Sequence, residues 1–253
     1  MQRSSLGTTV AIAVAAYALC DLVHEVLGHG LAALLVPGVD AVSLSSVALQ
    51  TTGESRLVAA AGTLANLAAG AAALGIFRRS RQFSPGAFFL WLFGSLNLLN
   101  ATGYLLFSAI LGLGDWEVVV RGLEPVWAWR AAMGAVGAAA YAGATVCSAG
   151  ALARSTVARS EVPRLVFPAY VAGGILLVVA STLNPISPAL ILTSGASSGF
   201  AAMAGLTLVP LLVEKRAASG EGDDVLARST AWIVAGIAIG LAFVGVVGPG
   251  IRL

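Results

Sequence analysis

Both histidines of the chain stand in one decapeptide, Asp21-Leu22-Val23-His24-Glu25-Val26-Leu27-Gly28-His29-Gly30, inside a run that is otherwise Ala, Val and Leu. Two imidazoles and two carboxylates in an apolar segment are costly to bury unless something pairs with them. A divalent cation is the most economical partner. The residue types suit metal-assisted hydrolysis, which needs imidazoles on the metal, a carboxylate to take a proton from water, and a third protein ligand.

The spacing is unusual. The helical solution to this chemistry is His-Glu-x-x-His, where a separation of four stacks both imidazoles on one face. Here the motif reads His24-Glu25-Val26-Leu27-Gly28-His29, one residue longer. At about 100° per residue the two rings would lie about 140° apart on a regular helix, against about 40° for the shorter spacing. Two local structures repair this. A π-bulge near Gly28 would absorb the extra residue, and such bulges favour functional sites. Alternatively the helix breaks at Gly28 and His29 reaches back from a turn.

The elements that carry these residues follow from composition. Of 253 residues, 58% are hydrophobic and 10% charged, with a mean hydropathy of +0.92. A water-soluble domain needs far more charge to cover its surface. The expectation is an integral, multi-pass membrane protein: an all-α transmembrane helix bundle of about seven spans. These fall near residues 6–36, 56–77, 86–114, 131–153, 165–183, 188–213 and 230–250. Residues 39–52 are β-branched and partly alternating, which predicts a short strand-like segment after the first helix. Residues 86–114 contain Asn97, Asn100 and Gly103 and read either as one tilted helix or as a helix broken near the asparagines. Residues 115–130, with Trp116, Trp127 and Trp129, read as an interfacial aromatic belt. Asn184-Pro185-Ile186-Ser187-Pro188 reads as a tight turn, and residues 214–229 as a solvated loop. Cys20 and Cys147 lie in apolar segments as small thiols. A net charge of +2 without basic-aromatic clusters speaks against a nucleic-acid partner. The oligomeric state is left open.

Basic residues set the expected orientation. One side carries Arg3, Arg78, Arg79, Arg81, Arg154, Arg159, Arg164, Lys215, Arg216 and Arg228. The other carries Arg56, Arg121, Arg130 and Arg252. The bias puts the N-terminus in the cytoplasm of a cell whose plasma membrane the chain spans.

Three stretches together resemble the site-2 protease family of intramembrane zinc metalloproteases. That family carries His-Glu-x-x-His on one transmembrane helix, usually with Gly before the second His, and Gly-Pro-x-x-Asn on the next. A later helix carries Asn-x-x-Pro followed by an Asp. This chain has Gly28-His29, then Gly62-Thr63-Leu64-Ala65-Asn66, with Thr63 where the family has Pro. It has Asn97-Leu98-Leu99-Asn100, with Asn100 where the family has Pro, and its nearest downstream acid, Asp115, lies well beyond the family's spacing. The strand-like 39–52 also sits where the family commonly has β-strands. The resemblance covers roughly residues 10–116.

The resemblance implies one zinc per chain on His24 and His29, with Asp115 as third ligand and Glu25 as general base. It implies that Asn66 and Asn97 position an extended substrate, taken from a membrane-embedded protein and added to an edge strand in 39–52. Residues 1–130 would be the protease-like core and residues 131–253 additional transmembrane helices of unassigned role. The family places its site toward the cytoplasm, whereas the charge bias puts this one outside.

Each residue also has a plainer reading. The histidines could be structural, bonded to carbonyls of neighbouring helices. Asp21, one turn before Glu25, could orient an imidazole or join a proton path. Asp115 could cap the helix that follows it. The asparagines could be interhelical hydrogen-bonders. The alternatives to a protease are therefore an inactive protease-like scaffold in the bilayer and a proton- or ion-translocating protein.

Overall fold

The computed structural model describes residues 3–80, 82–184, 191–215 and 222–253. The first helix, α1 (Leu6–Leu35), carries the histidine motif. It is followed by strands β1 (Ala41–Leu44) and β2 (Leu49–Thr51) and helices α2 (Arg56–Phe77) and α3 (Pro85–Leu111). A short helix α4 (Asp115–Val120) leads to α5 (Val126–Leu152) and α6 (Val162–Thr182). The chain ends in α7 (Ser194–Lys215), α8 (Thr230–Val247) and a two-residue strand β3 (Ile251–Arg252). Among the described residues, seven helices are thus long and apolar enough to cross a membrane. The fold is an all-α bundle with one small sheet.

Short polar residues punctuate the apolar runs. Ser5, Ser55, Ser84 and Ser229 each accept a hydrogen bond from a first-turn amide at the start of α1, α2, α3 and α8, satisfying a donor that has no partner within the helix. Pro85 follows Ser84 at the first position of α3, where its missing N–H costs nothing. Gly112 ends α3 with φ 65°, a left-handed conformation that suits glycine.

The Asn-rich run is one unbroken helix, so it contains no break near the asparagines. The irregular backbone lies in α7 instead. A π-helical stretch (Ile191–Ala201) runs into it, and a 3₁₀ stretch (Ala204–Leu208) precedes the α-helical end. At membrane depth, such backbone needs protein partners or a cavity beside it. Tyr141 on α5 supplies them: its hydroxyl donates to Ala202 O at 2.9 Å and accepts from Gly205 N at 2.7 Å.

Residues 39–52, predicted to be strand-like, form two short strands paired as a hairpin. The sheet order is β2-β1-β3, with β1 antiparallel to both neighbours. The third strand, from the far end of the chain, leaves β2 as an outer strand. The main apolar core runs through both halves of the sequence, from Ile12 and Tyr17 through Trp91 and Leu96 to Leu165, Leu206 and Phe243, and a smaller cluster of Ala32, Ala33, Val39 and Val58 lies beside the sheet. The predicted turn at 184–188 lies mostly outside the described residues, as do Arg81, Arg216 and part of the 214–229 loop.

Candidate metal centre

Residues Val23–Gly30 of α1 form a π-helical segment within an otherwise α-helical span. Hydrogen bonds that reach back five residues widen the turn, so a separation of five replaces four as roughly one turn. The extra residue of the histidine motif is absorbed in this way. His24 and His29 meet edge to face, with ring centroids 4.7 Å apart. The helix does not break at Gly28. Instead Gly28 lets α1 and α2 touch: a Cβ there would stand 2.4 Å from the Cα of Gly62.

Each imidazole is oriented by a bond at Nδ1. His24 Nδ1 lies 2.7 Å from Asn66 Oδ1, and His29 Nδ1 lies 2.7 Å from Val58 O. A carbonyl oxygen can only accept, so both Nδ1 atoms carry hydrogen. The Asn66 amide is itself fixed, because its Nδ2 donates to Cys20 O at 3.2 Å and Asn97 Oδ1 at 2.7 Å. Both Nε2 atoms then turn to a common point. Asp115 Oδ2 meets them there, 3.0 Å from His24 Nε2 and 3.2 Å from His29 Nε2.

Two imidazole edges facing one carboxylate oxygen require positive charge, supplied by protons or by a cation. The donor set fits a tetrahedral metal. Ligand atoms about 2.0–2.1 Å from zinc at tetrahedral angles are about 3.3 Å apart, close to the distances seen. The imidazoles also carry the outer hydrogen bonds typical of metal-ligating histidines. Gly62 keeps the point clear: a Cβ on it would lie 2.7 Å from both Nε2 atoms. Glu25 belongs to the same cluster. One ligand atom each from His24, Glu25 and His29 lie within 4.8 Å of one another, and all three residues are buried.

Asp115 reaches the histidines through a tight turn. Gly112 and Gly114 adopt φ 65° and 81°, and α4 then packs on α2 with Asp115 as its first residue. Trp116 secures this docking, its indole N–H donating to Thr63 Oγ1 at 2.9 Å. Trp116 therefore points into the protein rather than forming part of an interfacial belt. Trp127 and Trp129, 74% and 44% exposed, occupy the first turn of α5 and do suit one. Burial tends to raise the Asp115 carboxyl, but its bonds to His24 and His29 outweigh that and hold it well below the usual carboxylate range.

Asn66 and Asn97 are fully buried with their amides bonded to inner partners, and Asn66 orients His24. Asp21 does not orient an imidazole. That place is taken by Asn66, and Asp21 Oδ2 is buried without a hydrogen-bond partner among the described residues.

The site opens into a cleft of about 170 Å³ lined by Glu25, His29, Leu49, Val58, Tyr104 and Asp115, among others. Glu25 Oε2 accepts a hydrogen bond from Leu49 N at 2.6 Å, so the outer strand β2 runs past the carboxylate. Tyr104 packs on His24, ring centroids 5.1 Å apart. Residue types alone do not reveal Tyr104, Thr63 or Trp116. The one available signal is that Tyr104 lies two helical turns beyond Asn97, on the same face of α3.

No protein-family model matches the chain, and neither a curated protein nor a solved structure matches it.

Proposed function

We propose that the protein is an intramembrane zinc metalloprotease that hydrolyses peptide bonds of membrane-embedded proteins. The convergence of His24 Nε2, His29 Nε2 and Asp115 Oδ2 on one point beside the Glu25 carboxylate carries this reading. One zinc per chain would be held by those three atoms. Bound there, zinc would polarise the scissile carbonyl and acidify water near neutral pH.

The chain's own residues do the rest. Glu25 takes one proton from the attacking water and passes it to the leaving amide nitrogen as the C–N bond breaks. Asn66 and the Val58 carbonyl hold each imidazole with Nδ1 protonated, leaving Nε2 as the ligand atom. β2 offers main-chain groups along its outer edge, where an unwound substrate segment would add as a strand. Addition there must release the Leu49 N–H from Glu25, which ties substrate binding to freeing of the base. The Asp115 side chain, 21% exposed, admits water from the sheet side of the bundle. By the basic-residue bias, that side faces outward from a plasma membrane with the N-terminus in the cytoplasm.

Two tests address how the ligands are positioned. Deleting Val26 leaves His-Glu-Leu-Gly-His and should restore an α-helical turn. Val26 and Leu27 are 38% and 54% exposed, so little packing is lost. Elemental analysis of the purified variant should still find one zinc per chain, whereas deleting the buried Ala15 should remove it. Zinc loss on deleting Val26 would mean that the π-helical geometry itself is required. In the second test, Thr63→Val removes the acceptor for Trp116 at nearly constant shape. Chelator competition should show zinc binding weakened by roughly 10–100-fold, with Thr63→Ser near wild type. Equal affinity in Thr63→Val would show that Trp116 does not position Asp115.

A further inference from the structure

A second, larger cavity of about 390 Å³ lies between α3, α5 and the irregular part of α7. Its volume falls in the range of ligand pockets, roughly 300–1,000 Å³. Tyr104, Phe107 and Ile110 form one wall, Tyr141 another, and Ser198 and Ala201 a third. The space exists because α7 presents small residues where a packed helix would present large ones. The π-helical stretch of α7 borders it, and irregular backbone at membrane depth is tolerated where it lines a cavity.

This cavity adjoins the metal cleft at two points. Tyr104 lines both. Ser194, on the cavity side, donates to Val47 O at 3.3 Å, and Val47 lines the cleft. A peptide running along β2 past Glu25 would therefore pass beside the cavity, with Tyr104 as the wall common to both. From this we infer that the cavity is a specificity pocket: it takes large apolar side chains of the substrate next to the scissile bond, and it selects unwound transmembrane segments carrying Phe or Leu there over segments carrying Ala or Gly. The inference rests on the protease reading for its substrate class. The pocket has room for more than one large side chain, and Ile110 and Leu111 at its edge, 71% and 53% exposed, leave it accessible along the bundle surface.

The test uses full-length Glu25→Gln protein in detergent and two synthetic single-span peptides. They share an Ala-Gly centre, flanked in one by Phe-Phe and in the other by Ala-Ala. Fluorescence binding should favour the Phe-Phe peptide by at least about tenfold, as expected for several methylenes in an apolar pocket. Ser198→Phe and Ala201→Phe, made separately, should each remove that preference while zinc stays at the wild-type level. A photoreactive Phe analogue in the peptide should attach to wild-type α3 or α7 at the cavity. This mapping does not depend on either variant folding. Equal binding of the two peptides, a preference that survives both variants, or attachment elsewhere would overturn the inference and leave a cavity filled by detergent or lipid. Absence of zinc from all samples would instead strike at the protease reading, with the peptide preference still deciding for or against the pocket.

Discussion

Gly62→Ala should leave a folded protein that no longer holds zinc. The added methyl would lie 2.7 Å from Nε2 of both histidines, well inside van der Waals contact and at the point where the metal sits in our reading. The rings cannot easily give way, since Asn66 Oδ1 and Val58 O hold each Nδ1 at 2.7 Å. The loss of affinity should exceed the roughly 10–100-fold typical of removing one outer hydrogen bond. Zinc content and thermal unfolding, measured side by side, separate this from misfolding: zinc near zero with a cooperative transition is the expected pair. A Gly62→Ala protein that keeps a full zinc complement would show that the metal does not bind at this point.

Glu25→Gln should have the opposite profile, with zinc retained and cleavage lost. The amide oxygen of Gln can still accept from Leu49 N, so the contact between α1 and β2 survives. What disappears is the ability to take a proton, and general base catalysis is worth roughly 10²–10⁴-fold. Turnover of a single-span peptide should fall by at least about a hundredfold at unchanged zinc content. Turnover within a few-fold of wild type would remove Glu25 from the chemistry.

Much of the fold was legible in the sequence, and for identifiable reasons. Apolar runs bounded by Ser, Pro and Gly mark the spans, and α2 begins and ends where its pattern does, at Arg56 and Phe77. That the helix must be irregular near Gly28 was legible as well, because two histidines five apart cannot share a face of an α-helix; the choice of a π-helical segment over a break was not. Nor were tertiary arrangements. β3 is two residues long, and its pairing depends on where the last helix delivers the chain. Asp115 stood out only as the nearest acid. Its place against the histidines comes from the Gly112 and Gly114 turn and from the bond between Trp116 and Thr63. Thr63 read merely as a missing proline, and Trp116 as one more interfacial aromatic. Asn66 and Asn97 were recognisable as polar residues with a task. Only their burial shows that Asn66 holds His24 and that Asn97 holds Asn66. Of the two readings of the Asn-rich run, the unbroken helix holds; irregular backbone occurs beside Tyr141 instead, which bonds to Ala202 and Gly205 there.

Zinc stoichiometry of the purified wild-type protein, beside His29→Ala, tests the central claim most directly. One zinc per chain in the wild type and none in His29→Ala is the predicted result. No zinc in either protein, after loading with excess metal and removal of the unbound ion, would contradict it. The convergence of His24, His29 and Asp115 would then be a proton-bridged structural cluster.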